Sequence, residues 1–355
     1  MIGAMRSAPA DGRVEPAPGA PSRVLAIGTD EAGFGPYVGP LTLAGVAMEA
    51  PAWIDCGRLW EALAGAVCTA APAGGGARDG AGGPGAAPSP LVVCDSKLAF
   101  TQDGGERAAL ATLERTVLSF LSLDGGAPAT FGAFLRRLGA PAIEDLSAAA
   151  PWAGAADMAL PVAAPAGAVA ALQQGLAQCG VRIVAVRLRF LDAPVYNDRL
   201  RACRSNKNRL LVEETIDLLR SLIDTAPGLP LRATCGRLGG RKFYGSALGA
   251  LGPVLVSTIA ERKHHSRYAL AGALDGEVDF RVDADADHFL VALASMFAKY
   301  AREVYMLALN EWLARLRPGL VPTAGYGPDG RRFIRDCKSA LKKAGIPLEA
   351  LARKH

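Results

Sequence analysis

Four apolar residues, Val24 to Ile27, run through Gly28 and Thr29 into two adjacent carboxylates, Asp30 and Glu31. So short an apolar run, closed by turn residues, predicts a buried strand. Leu41 to Met48 alternates loosely and predicts a second strand hairpinned to the first. Helical spacing follows through Leu59, Trp60, Leu63 and Val67, and Leu91-Val92-Val93 is a further short apolar run. The spacing of Leu110, Leu113, Val117, Leu118 and Leu121 predicts a helix over 107–123, and 131–138 and 169–178 give helical fragments. Residues 181–190 form the clearest strand, with Val184, Val186, Leu188 and Phe190 on one face and Arg187 and Arg189 on the other. Asn206 or Asn208 then caps a helix running to about Ile223. Further strands are predicted at 231–236, 254–259, 268–271 and 278–282, before a long helix from about Ala286 to Leu316. Strands first, then helix and strand in alternation, make this an α/β chain with a mixed sheet.

Composition narrows the picture modestly. The 355 residues suffice for one elaborated domain or two ordinary ones. A formal charge of +5 is compatible with nucleic acid, but its location matters more than its sum. Seven cysteines without a C-x-x-C pair, beside four histidines, favour neither a disulfide framework nor a zinc site; reduced cytoplasmic thiols are expected. Residues 1–22 lack periodicity and read as a disordered tail without a secretory signal. The most apolar long stretch, 158–177, is interrupted by Pro161, Pro165 and Gly167 and is not read as membrane-spanning. The organisation expected is a main domain over 23–335, with a flexible Gly/Pro-rich excursion at 71–90 and an inserted helical lobe at 101–180. A basic C-terminal helix is expected at 336–355, and the protein is expected to be a monomer.

The chemistry sits where the first strand ends. On a regular strand Asp30 and Glu31 point to opposite faces, but Gly33, Gly35 and Gly39 let the chain bend so that both serve one site. Oxygen ligands converging beside a backbone that approaches an anion closely suit a divalent cation; a strand-end turn with two solvated acids is the plainer alternative. Gly33-x-Gly35-x-x-x-Gly39 is not a dinucleotide fingerprint, and no G-K-[ST] phosphate loop is present. His264-His265 has no nucleophile to pair with.

Three stretches together resemble the type 2 ribonuclease H family, ribonuclease HII and its relatives. Asp30-Glu31-Ala32-Gly33-Phe34-Gly35-Pro36 is similar to that family's opening Asp-Glu-Ala-Gly-Arg-Gly-Pro segment, and Asp95-Ser96-Lys97 to its Asp-Ser-Lys motif. Asp285, followed by Ala294-Ser295-Met296-Phe297-Ala298-Lys299, resembles its acidic residue leading into an Ala-Ser-Ile-Leu-Ala-Lys helix, with Gly325-Tyr326-Gly327 further on. The resemblance implies a ribonuclease H-like fold, a mixed sheet of the five-stranded type flanked by helices. It also implies a metal-dependent endonuclease acting on the RNA strand of RNA–DNA hybrids or ribonucleotide-containing duplexes. Two divalent cations, Mg²⁺ or Mn²⁺, about 3.5–4 Å apart, would be caged by four carboxylates.

Carried over residue by residue, Asp30 and Glu31 match the first two acids and Asp285 the fourth, with Asp283 as a further candidate ligand. Asp283 and Asp287 flank Asp285 at period two, as if on a continuing strand, and Asp287 alternatively caps the helix. The expected third acid is replaced by Cys235. A neighbouring acid substitutes, or the ions are held weakly, or the chain cuts poorly; a thiol is a poor Mg²⁺ ligand, and the plain reading of Cys235 is a buried small residue. Phe34 replaces the family's arginine, leaving Gly33 and Gly35 to approach a 2′-hydroxyl and Phe34 itself to stack on a base or sugar. Ser96, Lys97, Arg241, Lys242, Lys299 and Tyr326 complete the implied nucleic-acid contacts, and Arg331, Arg332, Arg335, Lys338, Lys342 and Lys343 form a basic stripe. A catalytically impaired relative that binds hybrid or structured nucleic acid without turnover is the alternative function.

Overall fold

The computed structural model describes residues 22–70, 89–100, 106–140, 150–154, 159–160 and 166–354. Most of the 1–22 tail and of the 71–90 excursion therefore lies outside the described residues. In chain order the strands are β1 (Arg23–Ala32), β2 (Leu41–Pro51), β3 (Val67–Cys68), β4 (Leu91–Val92), β5 (Arg182–Leu191), β6 (Leu231–Gly236), β7 (Val254–Glu261), β8 (His265–Gly272) and β9 (Gly276–Arg281). The α-helices are α1 (Leu59–Ala62), α2 (Ser96–Ala99), α3 (Glu106–Ser122), α4 (Phe131–Arg137), α5 (Pro151–Gly154), α6 (Ala166–Gln178), α7 (Ala193–Ala202), α8 (Lys207–Ile223), α9 (Gly245–Leu248), α10 (Ala284–Asp287), α11 (Phe289–Leu316) and α12 (Gly327–Lys343).

Seven strands form the main sheet in the order β5-β2-β1-β6-β9-β8-β7, two more than the five expected. β1, β6 and β9 run parallel, and β2, β5, β8 and β7 join by antiparallel pairing. The sheet is mixed and flanked by helices, as the sequence pattern predicts. Strand alternation divides the core. Leu25, Ile27, Ala233 and Cys235 pack toward α8, whereas Ala26, Val46 and Leu188 pack toward α11. Side chains from α3 to α6 join the α11 core directly, including Leu113, Phe134, Trp152 and Leu172. The described helices of the 101–180 segment therefore share the main core rather than forming a separate lobe.

Three expectations change. Where β5 pairs with β2 the register shifts between Ala47 and Met48, leaving Val184 unpaired, so Val184 packs with the α8 cluster while Val186 keeps to the α11 side. The terminal helix starts at Gly327 and stops at Lys343 instead of spanning 336–355, because Phe333, Cys337 and Leu341 supply its buried face. The acidic stretch is no continuing strand. Asp283 takes a left-handed conformation (φ 51°), Asp285 lies in the single turn of α10, and His288 returns to extended backbone before α11 begins. No helix among the described residues is long and apolar enough to cross a membrane.

Helix and sheet approach closely at Gly28, where a side-chain carbon would lie 2.3 Å from the Leu290 carbonyl carbon and 2.4 Å from its Cβ. Helix α11 rests on the bare backbone of β1. Gly28→Ala must therefore push helix from sheet, and the expected loss is about 3 kcal/mol or more, read from the urea midpoint.

Candidate active site

The parallel strands β1, β6 and β9 end together, and a cleft of about 650 Å³ opens over their carboxyl ends. Asp30, Glu31, Gly33, Phe34, Gly35, Ser96, Lys97, Asp283, Asp285, Lys299 and Tyr326 all line it. Residues that were far apart in sequence thus meet in one place. Arg241 and Lys242 are not among the lining residues; they belong to the loop after β6, where Arg241 Nε donates to the Phe243 carbonyl at 2.6 Å.

Asp30 sits beside helix α11 and accepts a hydrogen bond from the Ser295 hydroxyl. Ser295 Oγ lies 3.0 Å from Ser96 Oγ, so a buried chain of hydroxyls ties the start of α2 to the first carboxylate. Lys97 Nζ stands 4.0 Å from the Asp285 carboxylate and 3.8 Å from that of Asp95, which also caps α2. Lys299 Nζ donates to Glu303 at 2.8 Å and lies 4.7 Å over the Phe100 ring, so part of its charge is already spent.

The carboxylates hold their protons tightly. Burial pushes Asp30 well above the usual carboxylate range, aided by the charges of Glu31 and Asp285, with the Ser295 hydroxyl acting the other way. Burial likewise takes Glu31 up to about 7, with Asp285 adding to the shift. Asp285 is raised by burial and by Asp95, against the pull of Lys97. Three acids that cannot comfortably ionise together would be relieved by cationic charge. Their hard oxygens are of the type that takes Mg²⁺ or Mn²⁺. Their positions are another matter: among the described residues no group of three or more His, Cys, Asp or Glu is arranged to hold a metal ion. The donor chemistry fits a divalent cation; the four-carboxylate cage for two does not fit.

The third position explains the shortfall. β6 pairs with β1 so that Cys235 stands opposite Thr29, sharing its face, and Cys235 is fully buried in the α8 cluster with its thiol bonded to Thr29. Burial pushes that thiol up to about 12, so it stays neutral. The Cys235 side chain is on the wrong side of the sheet to meet Asp30. The position facing Asp30 is Gly236, where a Cβ would meet Asp30 Oδ1 at 2.4 Å. Cys235, expected at the site, is thus corrected: it lies away from the cleft, and its neighbour Gly236 is the residue that lines it and faces Asp30.

The glycine loop is held by two buried arginines. Gly33 has φ +82°, and an added Cβ there would lie 2.5 Å from the Pro40 carbonyl oxygen and 2.8 Å from Arg302 Nε. Arg302 bonds Glu303 (2.6 Å) and the Ala324 carbonyl (2.7 Å), with its guanidinium 5.0 Å from the Tyr326 ring. Arg353, only 4% exposed, donates to the carbonyls of Gly33 (2.5 Å) and Phe34 (3.1 Å) while lying 3.8 Å over the Tyr196 ring. Tyr326 is 43% exposed at the cleft wall, and Phe34 is half-buried toward Gly239. Sequence reasoning missed Gly236, Arg237, Ser295 and Arg353. Ser295 was visible within its helix motif, but pairing register and a contact spanning 320 positions have no local signal.

No protein-family model matches the chain, and no curated protein matches it. Among solved structures it is similar to a mutant of Bst-RNase HIII, at 16% identity over 93% of this chain and 66% of that one, with a TM-score of 0.45. It is similar also to ribonuclease H2 from Pyrococcus horikoshii OT3 (13% identity, 92% of each chain, TM-score 0.41). A third is the structure of the PCNA:RNase HII complex from Archaeoglobus fulgidus (16% identity, 94% and 95%, TM-score 0.38). The chain spans just under two thirds of the first of these. Likeness at this level carries no argument about chemistry, which rests on the residues above.

Two outcomes follow from this geometry. Glu31 binds its proton more tightly folded than unfolded, so its contribution favours the fold below pH 4.5 and is lost as pH rises to about 7. Without added divalent cation, Glu31→Gln should recover on the order of 1–2 kcal/mol at pH 8 and nothing at pH 4, by urea unfolding. Arg353→Met strands two carbonyls of the loop and should cost about 2 kcal/mol, with faster amide exchange across 33–39.

Proposed function

We propose that this protein is a ribonuclease HII-like relative that binds RNA–DNA hybrid or ribonucleotide-containing duplex in the cleft and whose hydrolytic capacity is impaired. The observation that carries the reading is Gly236 opposite Asp30, where a two-cation site needs a carboxylate. The remaining lining suits nucleic acid. Lys97 and Lys299 offer charge to phosphates. The Gly33–Gly35 backbone allows close approach to a 2′-hydroxyl, and the partly exposed Tyr326 ring offers a surface for a sugar or base.

A second reading, metal-dependent endonuclease, is favoured by one observation: the raised affinity for protons at Asp30, Glu31 and Asp285, a strain that a divalent cation relieves. Asp30, Glu31 and Asp285 line the cleft and supply the oxygen donors that Mg²⁺ or Mn²⁺ would take, and they would have to shift to enclose an ion. When bound, such an ion supplies an activated water and stabilises the leaving oxygen. The protein's own part would be to position the phosphodiester through Lys97, Lys299 and the glycine loop.

Cleavage of a labelled hybrid with Mg²⁺ and with Mn²⁺ separates the two. The parent is expected to bind the hybrid yet turn it over slowly or not at all, while Gly236→Asp raises Mn²⁺-dependent cleavage at least about tenfold. The Asp30 carboxylate must move for that substitution, which the flexible end of a side chain permits. Cys235→Asp serves as the contrast. It should bury a carboxylate among apolar side chains, cost about 3 kcal/mol or more, and leave cleavage unimproved. Robust cleavage by the parent, abolished in Asp30→Asn and Glu31→Gln, would establish the endonuclease instead.

A further inference from the structure

The two strands beyond the expected five form a hairpin, β7 and β8, at one edge of the sheet. β8 is antiparallel to β9 and β7 to β8, so β7 runs in the direction of β1, β6 and β9. The hairpin turn, Arg262-Lys263-His264, therefore projects at the same end of the sheet as the cleft. Beside it lies the loop after β6, Gly239-Gly240-Arg241-Lys242-Phe243.

These two segments are joined into one rigid body. The Arg237 guanidinium donates to the carbonyls of Lys263 (2.7 Å), Arg241 (2.9 Å) and Gly240 (3.4 Å). Ser266 Oγ donates to the Lys242 carbonyl at 2.6 Å, and Val282 N to the His264 carbonyl at 2.9 Å. Beneath them Tyr244 stacks on Phe280 with ring centroids 3.7 Å apart, and its backbone N–H donates to the Tyr268 hydroxyl. The backbone oxygens are turned inward and satisfied. Lys242, Arg262 and Lys263 are exposed and make no ion pair among the described residues. Phe243 stands among them 62% exposed. The neighbouring acid, Glu261, accepts the Tyr268 hydroxyl proton at 2.5 Å. Unpaired cations around an exposed ring, on a platform with little freedom to collapse, match a nucleic-acid backbone with a base or sugar edge.

We propose that the β7–β8 turn and the loop after β6 form a basic ledge that takes the phosphate backbone of a duplex extending from the cleft. Strands lie about 4.8 Å apart, which puts the turn about 17 Å from β1, about five backbone steps of roughly 3.4 Å along one strand of a duplex. The ledge thus meets phosphates distant from the one over Asp30, and Arg237 is a positioning residue that holds its two halves together. This rests on the reading of the cleft as a hybrid-binding site.

The test is equilibrium binding, by fluorescence anisotropy across a salt series, of a long hybrid of about two helical turns and a short one of about half a turn. The double variant Arg262→Ser with Lys263→Ser should bind the long hybrid about tenfold more weakly at low salt. Its plot of log affinity against log salt should be shallower by about 1–2, one counterion-release increment per lost contact. Its binding of the short hybrid should match the parent, and Arg262→Lys with Lys263→Arg should restore the long-hybrid slope. A double variant that keeps the parent's affinity and slope overturns the ledge alone, as does a parent that binds long and short hybrids equally. A parent that binds neither overturns the ledge and the cleft reading together.

Discussion

The contact of α11 with the bare backbone of β1 at Gly28 sets the geometry of everything above it. Leu290 rests there, and the helix then runs along the strand. Five residues of helix rise about 7.5 Å and two residues of strand about 6.6 Å, so Ser295 arrives beside Asp30. Seven residues later Arg302 reaches Gly33, and one turn beyond it Met306 packs against Gly39. One close approach thus brings a hydroxyl, an ammonium and a guanidinium into line with the acidic strand end and its loop. Any residue larger than glycine at position 28 would lift all three at once.

Strand pairing then decides what the cleft lacks. Because side chains alternate along a strand, a shift of one residue exchanges the two faces of the sheet. Cys235 belongs to the apolar face, with Leu231 and Ala233, and its neutral thiol is one more small buried group. Gly236 takes the face that matters and brings no side chain to it. The charge balance follows: carboxyls gathered on one side, with a lysine shared between Asp95 and Asp285 and a second lysine engaged by Glu303. Under the proposed reading, binding a polyanion and gathering cations would be competing demands on such a cleft, and a glycine at position 236 would weaken the second more than the first.

Much of this was legible in the chain. Strands β1, β2, β6, β8 and β9 and the α8 helix announce themselves through short apolar runs, alternation and an asparagine cap, because local physics and the final fold agree there. The acids at 30, 31 and 285 were visible as polar residues at element ends. What stayed hidden depends on long-range pairing. The sequence places Cys235 next to Gly236 without saying which of the two faces Asp30. Asp283 and Asp285 keep the spacing of a strand, yet a left-handed residue and a helical turn intervene. The two extra strands were each predictable, while their union with the main sheet, and the side on which their turn emerges, needed the topology.

Arg353 carries a consequence for the order of assembly. Its guanidinium reaches carbonyls 320 and 319 positions earlier, and the adjoining Ala352 bridges Val38. Arg353 is synthesised after α11, so this contact cannot form before α11 has been made. During synthesis, then, the strand and its acids can fold around α11 while the glycine loop still waits for its clasp. The glycine loop would take its final form only once that arginine has been made and docked.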